Sequence, residues 1–140
     1  MTVKIKECFE SKDAKTRANV LIDDEIFEVH INGNREELCP QIDEEIDVEL
    51  DFVEVTYFAP QKLSKEECGY FKTNRRDVIG IKGQVVHICS GGQDVIYDVY
   101  VGPATCCLCL ISTDIGARKL REGDGLEVHV RGLALYPCNY

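Results

Sequence analysis

The sequence predicts an all-β protein: antiparallel strands arranged as one or two small β-barrels, with little helix. Two observations carry that expectation. Apolar and polar residues alternate with a period of two over segment after segment, and Gly, Asp and Pro punctuate these segments at the spacing of tight turns. A third sets the scale. The chain has 140 residues, 44% of them hydrophobic, enough for the core of one ordinary domain or two very small ones.

The elements follow in order. Val3-Lys4-Ile5-Lys6 alternates cleanly and starts the first strand. Arg17 to Ile22 and Glu25 to Ile31 flank Asp23-Asp24 as a hairpin. Ile46 to Val55 alternates apolar and acidic residues for most of its length. Only one face of it can be buried, which suits an antiparallel sheet wetted on the other side. Alternation slips at Phe52-Val53, and a β-bulge is expected there. The pattern then fades from Pro60 to Asp77, where Ser64 is expected to cap a short helix. Glu66 and Glu67 would occupy its first turn and Gly69 would end it. Tyr70 and Phe71 in this stretch are expected to pack against a neighbour.

Patterning resumes with Val78 to Cys89, a long strand interrupted by Gly80 and Gly83. A turn at Ser90-Gly91-Gly92 leads to Val95–Val101, and Gly102-Pro103 turns the chain again into Thr105–Ser112. Asp114 to Arg121 reads as a helical turn or loop. Gly123-Asp124-Gly125 then turns into Leu126 to Val130, and Leu133-Ala134-Leu135 continues past Gly132. The expected organisation is an acidic β half (1–60), a connector (61–77) and a second β half (78–140).

Residues Ile81 to Val85, Tyr97 to Val101 and Gly123 to Gly132 carry a resemblance. A long glycine-kinked strand, a hairpin, a third strand, a short helical segment and a Gly-Asp turn into a fourth strand together resemble the OB-fold. The resemblance covers about residues 78–137. It stops short of a fifth barrel strand, which the first half is expected to supply, for example from residues 46–57. The halves also align with each other in two competing registers. Two tandem barrels and one shared barrel both stay open.

Charge is uneven. Residues 1–60 hold 6 basic and 16 acidic residues, a net of −10, whereas residues 61–140 hold 10 and 9, a net of +1. The acidic half opposes approach of phosphate, and the second half leaves room for a local basic groove. The longest apolar run, Leu108 to Ile111 with its cysteine neighbours, is too short to cross a bilayer. The N-terminus lacks the apolar region of a secretory signal. A cytoplasmic setting is therefore expected, with most of the eight cysteines as free thiols.

Motifs for chemistry are sparse. Cys106-Cys107-Leu108-Cys109 contains C-x-x-C and C-x-C spacings, yet on a strand Cys106 and Cys109 point to opposite faces. His87, Cys89, His129 and Cys138 are the remaining residues that would complete a metal site with Cys107 and Cys109 across strands. Core filling is the preferred reading, and no metal or other cofactor is expected. Ser90 has no assignable base, and neither a nucleophile elbow nor a phosphate-binding loop occurs. His30, His87 and His129 sit within strand patterns, and Asp43-Glu44-Glu45 reads as a solvated turn.

Binding remains. Tyr97, Tyr100, Arg118, Lys119, Arg121 and Arg131 are the candidate binding residues of the second half, with Lys72, Arg75 and Arg76 as another basic cluster. Single-stranded nucleic acid is held by aromatic stacking along a positive groove. Tyr97 and Tyr100 have opposite parity on a strand, so one tyrosine at most faces a given groove. The sequence therefore predicts a non-enzymatic module with a protein partner, of basic character if the acidic half engages it. Single-stranded nucleic acid ranks second.

Overall fold

A computed structural model describes residues 2–10, 16–22, 24–31, 43–102, 108–116 and 118–137. It is all-β, with two sheets and no α-helix among the described residues. No helix there is long and apolar enough to cross a membrane. The first sheet holds β1 (Thr2–Glu10), β2 (Thr16–Ile22), β3 (Glu25–Ile31), β4 (Glu45–Asp51) and β11 (Ala134–Pro137). Its hydrogen-bonded order is β1-β2-β3-β11-β4, and β4 also pairs with β1. Every pairing in it is antiparallel except that of β11 with β3.

The second sheet has the order β5-β10-β7-β8-β9, built from β5 (Glu54–Pro60), β7 (Val78–Gly91), β8 (Asp94–Tyr100), β9 (Leu108–Ile111) and β10 (Gly125–Arg131). β7, 14 residues long, carries β10 on one edge. On the other edge it carries β6 (Gly69–Lys72) and then β8.

Two of the expected local features change. Ile46 to Val55 is not one bulged strand: β4 ends at Asp51, and β5 begins at Glu54 in the other sheet. At the slip, the Phe52 N–H donates to Asp51 Oδ1 at 2.8 Å and the Val53 N–H to the Arg131 carbonyl at 2.9 Å. The break in alternation marks a change of sheet. The ladder instead shifts register between Val85 and His87, between His129 and Val130, and between Ile5 and Glu7. The connector also contains a strand, β6, and its helical piece is a 3₁₀ turn, Lys65–Glu67. Ser64 caps that turn as expected, its N–H and hydroxyl both donating to Glu67 Oε1 at 3.1 and 3.0 Å. The turn ends at Cys68, and Gly69 opens β6.

A second crossing touches the first. β10 leads through Gly132, at φ 72°, into β11 of the first sheet. An added Cβ on Gly132 would meet the Val53 side chain at 2.6 Å. Glycine is thus required there twice, for its left-handed backbone and for room. The strands also exchange between the halves of the sequence: β5 lies in the second sheet and β11 in the first.

The apolar sides of both sheets feed one core. Val3, Ile5, Val20, Phe27 and Val29 join Ile81, Val85, Val99, Leu110, Val128 and Leu135 in it. Each such side chain contributes about 1.5–3 kcal/mol when fully removed from water. Phe27 on β3 and Tyr70 on β6 meet edge to face at 6.4 Å between ring centroids, tying the two sheets together.

Candidate functional site

The candidate binding residues do not converge on one groove. Tyr97 is 2% exposed, packed in the core on β8. Its hydroxyl donates to the Arg118 carbonyl and accepts the Leu120 N–H, both at 3.4 Å. It therefore anchors the segment after β9, with its ring turned into the core. Tyr100 faces the other way, half-buried, with Lys65 Nζ 5.4 Å from its ring centroid.

Arg118, Lys119 and Arg121 are exposed together. The Arg118 guanidinium lies 5.7 Å from the Phe58 ring centroid, and the Arg121 N–H donates to Asp124 Oδ2 at 2.8 Å. Arg131 is elsewhere. It pairs with Glu54 at 2.7 Å at the far end of β10 from Gly125, beside which Asp124 holds Arg121. Seven residues of strand separate the two ends, about 20 Å at ~3.3 Å per residue. Arg131 is thereby separated along β10 from Arg121, whereas Arg118 reaches Phe58, which lies opposite Val128.

The outward face of β7, β8 and β9 has a different character. Register places Cys89 opposite Ile96, and Ile96 opposite Ile111. All three are exposed, Ile96 by 36% and Ile111 by 37%. The adjacent row is His87, Asp98 and Cys109, in which the Cys109 thiol donates to Asp98 Oδ1 at 3.2 Å. Val86, at the register shift, is exposed as well. The result is an aliphatic and thiol row flanked along β8 by the carboxylates of Asp94 and Asp98, with His87 beside Asp98. β9 is the outermost strand here and pairs only with β8 among the described strands.

A second assembly escaped sequence reading. Across the outward face of β5, β10 and β6, the rings of Tyr57, His129 and Phe71 form a row. Centroids are 4.7 Å apart for Tyr57–His129 and 5.7 Å for His129–Phe71. His129 Nε2 also lies 3.0 Å from Glu127 Oε2. Lys82 Nζ sits 5.6 Å from the Phe71 centroid. The row spans β7 because Gly80 stands between β10 and β6 with no side chain, and an added Cβ would sit 2.2 Å from the Phe71 ring. A glycine inside a strand signals close approach of this kind. Its partner, 9 residues upstream, becomes evident only once β6 is paired with β7.

The metal candidates separate. His87, Cys89 and Cys109 share the outward face of β7 and β9, whereas His129 is committed to the aromatic row. Cys107 and Cys138 lie outside the described residues. Among the described residues no group of three or more His, Cys, Asp or Glu side chains is placed to hold a metal ion. Cys68 and Cys89 are free thiols, and Cys8 is in a disulfide.

The class that the structure defines is an all-β protein of two sheets sharing one core. No family model matches this chain, and no curated protein does.

Proposed function

We propose that this protein is a non-enzymatic binding module that engages a protein partner through the outward face of β7, β8 and β9. The observation that supports this reading is the exposed row Cys89–Ile96–Ile111 at the edge of the second sheet. An exposed apolar row on a chain of net charge −9 is what a protein contact removes from water. Exposed Glu44, Glu45, Glu49 and Asp51 around β4 favour a partner of basic character, electrostatics setting its rate of encounter. No cofactor enters this reading, and its setting is cytoplasmic. The first sheet, with β4 paired back to β1, is read as a small barrel. The second, with β5 supplied by the first half, is read as OB-like.

The test compares the wild type with Ile96→Asp/Ile111→Asp as immobilised baits. A basic protein retained by the wild type and lost from the variant, with circular dichroism unchanged, is the expected result. Equal retention by both would sink the assignment to this face.

Single-stranded nucleic acid is the second reading, supported by the exposed segment Arg118, Lys119 and Arg121. Labelled oligonucleotides titrated at two salt concentrations decide it. Binding well tighter than ~100 μM that weakens steeply with salt, and that is lost on replacing these three residues with alanine, would move it to first place.

A further inference from the structure

A cavity of about 290 Å³ opens at the seam between the two sheets. Its apolar wall is Phe27 on β3 with Val78 and Ile79 on β7, all buried, and Ile26 stands exposed at its rim. Lys72, Arg75 and Arg76 supply its charge, the first from the end of β6 and the others from the turn into β7. This volume is at the small end of pockets that enclose organic ligands.

Its electrostatics run against the rest of the molecule. Three cations face one carboxylate, Glu28, on a chain of net charge −9. That carboxylate is already committed: Oε1 accepts Arg17 Nη1 at 3.0 Å and Oε2 accepts Arg76 Nε at 2.7 Å. Glu28 therefore holds Arg76 in place without neutralising the site. Among the described residues Lys72 has no ion pair, and Arg75 has only a loose one, 3.9 Å to the exposed Asp77. The cluster has more donors than acceptors, and its open donors lie beside an apolar wall.

We propose that this cavity binds a small amphiphilic organic anion, its compact apolar body against Phe27, Val78 and Ile79 and its carboxylate or phosphate head on Arg75, Arg76 and Lys72. Guanidinium groups suit such a head because their paired N–H donors match two oxygens of a carboxylate or phosphate. The apolar wall selects against inorganic anions, which gain nothing from it.

Three probes test this on the full chain by amide chemical-shift mapping: 4-phenylbutyrate, phenyl phosphate and the neutral 4-phenylbutan-1-ol. The expected result is saturable shifts at Phe27, Glu28, Thr73, Arg75 and Arg76 with one or both anions. The neutral alcohol should bind at least about tenfold more weakly, as loss of a charge-assisted hydrogen bond implies. Which anion binds tighter identifies the head group. Lys72→Ala/Arg75→Ala should weaken the anions by a similar factor, whereas Lys72→Arg/Arg75→Lys should retain them and serves as the folding control. The proposal is overturned if neither anion shifts these amides at millimolar concentration. It is equally overturned if the alcohol binds as tightly as the anions, or if the shifts map only to other surfaces.

Discussion

Gly80 holds no chemistry of its own, yet it makes the aromatic row. Its missing side chain leaves the space that the Phe71 ring fills on the way to His129. Gly80→Val should expel that ring and destabilise the fold by about 1–3 kcal/mol, the usual cost of overpacking. Urea unfolding measures it, and combining the change with Phe71→Ala should recover part of the loss. Cys68 shows a residue muted by its surroundings. Burial raises its thiol pKa and the neighbouring Glu67 charge adds to this, with Lys65 opposing. Since the thiolate is the nucleophile, Cys68 should react with iodoacetamide several-fold more slowly than the exposed Cys89. Cys8 should be labelled only after reduction. Mass spectrometry of timed samples reads all three sites, and labelling of Cys8 in unreduced, denatured protein would contradict the disulfide.

Between elements, charge and backbone both act at joints. Glu28 on β3 is bound by Arg17 on β2 and by Arg76 in the turn before β7. Burial pushes its carboxyl pKa up, but the hydrogen bonds and charges of Arg17 and Arg76 outweigh that and leave it below the ordinary 4.5. A carboxylate with a lowered folded-state pKa adds stability that is complete above its ordinary value and is lost as pH falls through the lowered one. Wild type should therefore lose more stability than Glu28→Gln between about pH 6 and about pH 3. Urea midpoints across that range test it, and parallel curves would remove the ion pairs from the account. The sheet crossing is the other joint. Gly132→Ala forces a side chain into a left-handed conformation and against Val53. It should cost at least about 1–2 kcal/mol, read as a lower thermal midpoint.

At the scale of the molecule, the interleaving of strands governs stability. β5 hydrogen-bonds to β10, and β11 to β3 and β4, so a cut between residues 60 and 78 leaves each sheet short of a strand. Fragments 1–60 and 78–140 should each remain unfolded alone, and the whole chain should unfold in one transition seen alike by circular dichroism and tyrosine fluorescence. A folded fragment, or two separated transitions, would show that the shared core does not bind the sheets into one cooperative unit.

Local alternation was sufficient to recognise nearly every strand, because a two-residue period is written into neighbouring residues and needs no partner to be read. Arg17–Ile22, Glu25–Ile31 and Val78–Cys89 appear close to where the pattern places them. The turn at Lys65–Glu67 was equally visible through Ser64 and Glu67. Pairing was not. The slip at Phe52-Val53 looks the same in sequence whether the chain bulges or changes sheet, and the acceptor that distinguishes them, the Arg131 carbonyl, is distant in the chain. Parity foretold that Tyr97 and Tyr100 would part, but the core chose which one to bury. Composition located the basic residues, while separation along β10 divided Arg131 from Arg121. The apolar row, the aromatic row and the cavity join residues from three or more segments. Each depends on strand register, and register is a property of chain pairs, so no single segment contains it.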